Sequence, residues 1–453
     1  MSNQVNSFAR TAISRLLSEY GMLVVLLLLG LLFSILTIRE QYPSGTSAGE
    51  ALADKLTGET TPSTRILIVS SASAEDSLFA KSLLFELQEK GYSAVITITG
   101  NPSQVRARLA SMADSQQVVD IIATTQTYAP VVGSIKSQIT AYSTANVVTA
   151  PPTRWPTFLL PDNLRNVANQ ITVIAIIAIG MTMVIITAGI DLSVGSLIAL
   201  SAVVTAWLVG HAGGESASVI VMILAAAGGI VLCGAVGAFS GLMVTRFRIP
   251  PFIATLAMMQ VAAGLAYIIS QGKPIYQLPE GFIWLGRGAE PLFKIPYAVI
   301  LMFVLYLIAH IVMSRTTVGR YIYAVGGNEE AARLAGVRVK RILFLVYAVC
   351  GALAGLGGVV TASQLKSGAP TYGLTYELYV IAAVVVGGTS LMGGEGKVLG
   401  TLIGAFVIGV VQNGMNLTNV ETYTQKVVLG CIILGAVLLD RLKQQGFKLR
   451  RAT

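Results

Sequence analysis

The chain has 453 residues, of which 54% are hydrophobic and only 12% charged, with a mean hydropathy of +0.72. Soluble domains carry about 25% charged residues, so the composition excludes a soluble protein and implies repeated membrane spans. The net charge of +9 does not point to nucleic acid, because no basic domain with interleaved aromatics is present; it fits Lys and Arg gathered in cytoplasmic loops.

The first apolar run is 21–38, "GMLVVLLLLGLLFSILTI", preceded by Arg10 and Arg15. No A-x-A cleavage site follows, so it reads as an anchor with the N-terminus inside rather than as a removed signal peptide.

Residues 39–157 differ in kind. "RILIVSS" (65–71), "YSAVITITG" (92–100) and "VVDIIATTQ" (118–126) read as strands, and 75–91 and 102–117 as the helices between them. This β-α-β-α-β order predicts a small parallel sheet. The flanks "EQYPSGTSAGE" and "STANVVTAPPTRWP" read as linkers. The strand–helix order resembles the first half of a sugar-binding periplasmic protein of the ribose type. A clamshell needs two lobes and this chain has room for one. The expectation is therefore a structural cap or docking surface outside the membrane, not a module that binds solute unaided.

Further apolar runs follow at 168–189, 192–210, 219–241, 251–270, 297–314, 342–362, 376–392, 398–414 and 425–440. With the first, this predicts an all-α polytopic protein of about ten spans, since about 20 residues cross the hydrocarbon. Alternate loops hold most of the basic residues: Arg246 and Arg248; then Arg315, Arg320, Arg333, Arg338, Lys340 and Arg341; then the tail with Arg441, Lys443, Lys448, Arg450 and Arg451. That side, with both termini, is the cytoplasmic one. The expected division is 1–38, an outer α/β insert at 39–157, a transmembrane domain at 158–441 and a cytoplasmic tail at 442–453.

In "TAGIDLSVGSLIAL" (187–200), Asp191 is a charge beside long apolar runs, which is costly unless it is paired or at an interface. Two readings stand. Its carboxylate can cap the helix that begins near Ser193, Gly195 and Ser196, or the same residues gate or line a solute path. The Gly-rich runs 228–241 and 350–358 suit close helix packing, with glycine-lined channel walls as the alternative. Polar residues in or near spans include Thr182, Thr187, Gln260, Gln412 and Asn413. Gln260 and Asn413 are candidates for the solute path, although interhelical hydrogen bonding is the commoner use of such residues.

The three cysteines, Cys233, Cys350 and Cys431, lie inside apolar runs and read as small core residues. The two histidines, His211 and His310, have no ligand cluster around them, so no metal or other cofactor is expected. "GGEGKV" (393–398) fails as a phosphate loop: Leu391 stands where the first Gly is needed and Val398 where Ser or Thr is needed. With no catalytic set in sight, the chain is not expected to be an enzyme.

The stretch "GGNEEAARLAG" (326–336) stands apart, short and polar within an apolar chain. Asn328 can cap a helix, Glu329 and Glu330 put negative charge in its first turn, and Gly336 offers a stop. Glu329 and Arg333 are four apart and can pair. The expected helix is about eight residues, roughly 12 Å long, too short to hold alone in water. Ala331, Leu334 and Ala335 would form a small apolar face. A solvated surface turn is the alternative to a docked helix.

Three long stretches carry a family resemblance: "GMTMVIITAGIDLSVGS" (180–196), "GRYIYAVGGNEEAARLAGV" (319–337) and "YELYVIAAVVVGGTSLMGGEGKVLGTLIGA" (376–405). Across residues 158–441 the chain resembles the permease subunit of bacterial ribose-type ABC importers. The insert at 39–157 departs from that pattern. The resemblance implies an inner-membrane permease that moves a simple sugar inward, with a second permease copy or paralogue, a separate ABC ATPase and a periplasmic sugar-binding protein as partners. It implies that Gly327, Asn328, Glu329, Glu330, Ala331, Ala332, Arg333, Leu334, Ala335 and Gly336 form the coupling helix that seats in the ATPase. Related cargo such as a nucleoside, quorum signal or amino acid is the alternative, as is an ion-coupled secondary transporter, for which Asp191 is the one strong coupling candidate.

Overall fold

The computed structural model describes residues 21–451, with side chains for residues 21–438. Arg10, Arg15 and the basic side chains of the tail, on which the predicted orientation partly rests, lie outside the described residues and side chains. Two compact units are present, residues 37–157 forming the smaller.

An apolar helix, α1 (Gly21–Leu36), precedes that unit. The unit runs β1 (Ile38–Gln41), α2 (Gly45–Glu59), β2 (Ile66–Ser70), α3 (Ala74–Glu89), β3 (Val95–Thr99), α4 (Pro102–Asp114), β4 (Ile121–Thr124), α5 (Ala129–Ser137), β5 (Asn146–Val148) and β6 (Thr153–Pro156). Four strands form a parallel sheet in the order β3-β2-β4-β5. β2 is buried at all five positions, as a continuous apolar strand covered on both faces should be. Alternate residues serve the two faces: Ile66 and Ile68 pack with Leu52, Leu56, Phe79 and Leu83, while Leu67 and Val69 pack with Val105, Leu109, Val132 and Ile135.

Local chemistry starts the helices where they start. The Ser73 hydroxyl accepts from the Asp76 amide to open α3. Asn101 and Gln104 form a reciprocal capping box at α4, with Pro102 at its first turn. Arg65 ties the start of β2 to Asp120, donating to both carboxylate oxygens at 3.0 and 2.7 Å. Those bonds hold the Asp120 carboxyl below the usual carboxylate range.

The flanks read as linkers contain regular structure. β1 and β6 pair antiparallel, Ile38 opposite Pro156 and Gln41 opposite Thr153. The chain thus enters and leaves the unit through one two-stranded ribbon. Composition could not show this, because the ladder partner of each flank lies at the other end of the insert.

The larger unit continues with α6 (Pro161–Ile186), α7 (Val194–His211), α8 (Val219–Phe247), α9 (Pro251–Ser270), α10 (Trp284–Arg287), α11 (Tyr297–Arg315), α12 (Thr317–Gly327), α13 (Glu329–Leu334), α14 (Val339–Leu365), α15 (Tyr376–Val386), α16 (Val398–Leu417) and α17 (Thr422–Arg451). Seven described helices, α6, α7, α8, α9, α11, α14 and α16, are long and apolar enough to cross a membrane; α1, α15 and residues 422–438 of α17 are shorter apolar segments. The run expected as one span over 376–392 stops at Val386, because Gly387 and Gly388 follow and Gly388 takes a left-handed φ of +87°.

The glycine-rich runs meet each other. A β-carbon added to Gly351 on α14 would stand 2.3 Å from the Cys233 carbonyl oxygen and 3.0 Å from Gly237 on α8. One added to Gly237 would stand 2.2 Å from the Tyr347 carbonyl oxygen. α8 and α14 therefore pack backbone to backbone, the contact that small residues permit in lipid, where no hydrophobic effect drives helices together.

Candidate functional site

The opening turn of α12 is capped by Thr316, whose hydroxyl accepts from the Gly319 amide. α12 runs to Gly327, and Asn328 turns the chain into α13 with extended φ and ψ of −163° and 103°. The Asn328 side chain accepts from the Ala331 amide at 2.9 Å, the cap the residue type predicts. Glu329 and Glu330 occupy the first turn, where the helix dipole favours negative charge. Two expectations are corrected. The helix has six residues, not about eight, because Ala335 leaves helical geometry and Gly336 turns left-handed at φ +85°. Arg333 pairs with Glu330, three residues away, and not with Glu329.

Ala332 points inward and is buried, joining the apolar core of the larger unit. Ala331 and Ala335 are exposed, and Leu334 is 79% exposed. A short helix with one buried alanine and an uncovered leucine shows an apolar knob to its surroundings.

Behind α13, the end of α12 is keyed into two turns. A β-carbon on Gly326 would lie 1.6 Å from the carbonyl oxygen of Ile186, the last residue of α6. The same oxygen accepts from the Gly394 amide at 2.8 Å. The Tyr323 hydroxyl donates to the Gly396 carbonyl at 2.8 Å. The turn leaving α6 and the turn entering α16 thus both touch the last helical turn of α12. Gly326 opens the polar stretch 326–336 and Gly394 and Gly396 lie in the run 393–398, but nothing in the sequence predicted that these stretches, or Tyr323, would meet. The one signal available was the likeness of the Gly-rich turns after α6 and before α16.

Asp191 lies in the first of those turns and is fully buried. It is not the N-cap of α7. That position is Ser193, which makes no side-chain cap of its own. The Asp191 carboxylate instead accepts from the Ser193 amide at 2.9 Å and hydroxyl at 2.6 Å, one turn earlier. The short Asp-x-Ser loop satisfies its own donors this way. Its second oxygen, Oδ2, meets no conventional N–H or O–H donor among the described residues; the Tyr347 hydroxyl and the Cys350 thiol on α14 are its nearby polar groups.

The remaining candidates separate. Gly195 packs against the first turn of α15 and the loop before it: an added β-carbon would meet Glu377 Oε2 at 2.2 Å and the Gly373 carbonyl oxygen at 2.6 Å. Ser196 is half-buried beside it in sequence. Asn413 has a partner within the chain. It exchanges two hydrogen bonds with Asn163, at 2.9 and 3.0 Å, and bridges α16 to α6. Gln260 is exposed midway along α9, and none of the other candidates lies beside it in sequence.

These features define a polytopic membrane protein in which one exposed helical knob is tied to the ends of spanning helices. The chain belongs to the family described as branched-chain amino acid transport system / permease component, whose model matches residues 163–437. It is 44% identical over 293 residues to the ribose import permease protein of Escherichia coli K12, which covers 64% of this chain and 88% of that one. It is 43% identical over 290 residues to the ribose import permease protein of Bacillus subtilis strain 168, covering 64% and 87%. It is 38% identical over 285 residues to the D-allose transport system permease protein of Escherichia coli K12, covering 63% and 85%. No solved structure matches.

Proposed function

We propose that the chain is the membrane permease subunit of an ABC importer that moves a ribose-like simple sugar into the cytoplasm. The observation that carries this reading is α13, which leaves Leu334 exposed while α12 behind it is keyed to the turns next to α6 and α16. An element built in this way converts a push from outside the membrane into movement of helix ends inside it. The chain has no phosphate loop of its own, so the work comes from a separate ATPase on whose surface α13 is seated. Closure of the nucleotide-binding dimer would displace α13, and α12 would carry that displacement to the two turns.

In this reading the loop holding α13 is cytoplasmic, as are both termini, and about ten spans result when the three shorter apolar segments are counted. A second permease copy completes the pathway, and a periplasmic binding protein delivers the sugar. Residues 37–157 lie outside the cytoplasm. Their ends are joined by the β1–β6 ribbon and the family match begins only at residue 163, which supports a module added to a permease core and suited to docking the binding protein.

The test is reconstitution of the chain with its ATPase and binding protein in proteoliposomes, ATP inside and labelled D-ribose, D-allose or L-arabinose outside. ATP-dependent accumulation of a sugar is expected. Assembly of all subunits with import of leucine and none of the sugars would overturn the sugar assignment.

A further inference from the structure

The ends of α7 and α9 enclose a cleft of about 500 Å³, formed with the loop that follows α9. In the topology proposed above it opens outside the membrane. We propose that this cleft is a low-affinity binding site for a neutral monosaccharide on its way into the permease. The inference rests on the importer reading and names a site within it.

Its walls suit that chemistry. Trp207 and His211 lie together on one face of α7, ring centroids 4.3 Å apart and planes tilted by 40°, and the His211 ring is steadied by Nδ1 lying 2.9 Å from the Trp207 carbonyl oxygen. Tyr276 is 66% exposed. The amides of Gln271 and Gln277 line the same cleft and make no side-chain hydrogen bond among the described residues. No Asp, Glu, Lys or Arg lines it. Aromatic faces offer an apolar platform with a polar edge, and free amides offer both donors and acceptors. That combination fits the C–H face and hydroxyl rim of an uncharged sugar. A cation would find no carboxylate among the lining residues.

The cleft is held in shape before any ligand arrives. Ile275 and Gly368 exchange backbone hydrogen bonds at 2.8 and 2.9 Å, and Leu278 is fully buried. Tyr276 and Gln277 stand between those two anchors. Gly210 leaves room for the Gln277 side chain, because an added β-carbon would stand 3.2 Å from its Oε1. A preformed site loses less entropy on binding than a mobile one. Half-exposed aromatics at a helix end also serve as bilayer anchors; the free amides and the pinned loop are what an anchor does not need.

The chain has three tryptophans, so replacing Trp155 and Trp284 by Phe leaves Trp207 as the sole reporter. In the full-length permease in lipid nanodiscs, D-ribose is expected to change Trp207 emission saturably in the millimolar range, and D-ribose 5-phosphate to do so more weakly. Gln277→Ala is expected to weaken the response about tenfold, the cost of one lost hydrogen bond to a site built for it. Gly210→Leu, which fills the cleft without removing a polar group, is expected to abolish it. A sugar response unchanged in both variants, or none in the parent protein, overturns the proposal. So does quenching of Trp207 by bromine-labelled lipid that sugar does not relieve, which marks a bilayer anchor. The importer reading is tested separately by uptake in the reconstituted complex. D-ribose import without a Trp207 response would remove the cleft and keep the importer, and a Trp207 response without import of any sugar would do the reverse.

Discussion

The amide of Gly394 donates to the carbonyl oxygen of Ile186 at 2.8 Å. This one bond joins the end of α6 to the turn before α16, and Gly326 of α12 fits against both partners because it has no side chain. Adjacent Gly327 has open space around its position. The two neighbouring glycines are therefore not equivalent, and the difference is testable.

Gly326→Ala is expected to reduce uptake at least about tenfold, because the new methyl forces α12 off its seat at a cost of about 1–3 kcal/mol. Gly327→Ala is expected to stay within about twofold of the parent, since nothing lies within 4 Å of its added carbon. Both are read as initial uptake rate per permease in the membrane. Equal effects from the two would sink the keyed-seat account.

Ala335→Trp enlarges the exposed end of α13 without touching its buried side, where Ala332 sits. Uptake is expected to be abolished and co-purification of the ATPase reduced, with permease reaching the membrane in normal amount. Normal uptake together with normal ATPase recovery would remove α13 as the docking element.

Asn413→Leu breaks both bonds to Asn163 and strands the Asn163 side-chain oxygen, while the Asn163 NH2 group keeps the Phe158 carbonyl oxygen as acceptor. A loss of stability of about 1–2 kcal/mol is expected, seen as a lower unfolding temperature in detergent, with the KM for sugar unchanged. Asn163→Leu with Asn413→Leu is expected to recover only part of the loss, because the Asn163 side-chain oxygen is then no longer stranded while the Phe158 carbonyl oxygen loses the Asn163 donor. A raised KM at unaltered stability would return Asn413 to the solute path.

Ser134 is exposed on α5, and Cys431 is the exposed one of the three native thiols. With Cys431→Ser in place, Ser134→Cys is expected to react with an impermeant maleimide added to intact spheroplasts. Deleting residues 45–150 retains β1 and β6, and the truncated permease is expected to insert and fold while uptake at low sugar falls. Labelling only after lysis would reverse the topology. Failure of the truncated chain to insert would make the insert structural.

Composition and apolar run length were enough to establish a polytopic membrane protein, because the cost of burying polar groups in lipid is written residue by residue. The cap of α13 was legible for a similar reason. Asn328, Glu329, Glu330 and Gly336 act on their own backbone within a few positions, so their spacing contains the interaction. For Asp191 the sequence offered a helix cap or a gate; its carboxylate does accept a nearby backbone amide, that of Ser193, but it is not the cap of α7.

What tertiary structure alone decided were the contacts between distant segments. The Asn163–Asn413 exchange, the β1–β6 ribbon, the Trp207 cleft and the seat of Gly326 against Ile186 each depend on two stretches far apart in the chain. A glycine that must be small for a neighbour far along the chain looks, in sequence, like any other glycine in an apolar run. The distinction between Gly326 and Gly327 exists only once the backbone of α6 has been brought against α12.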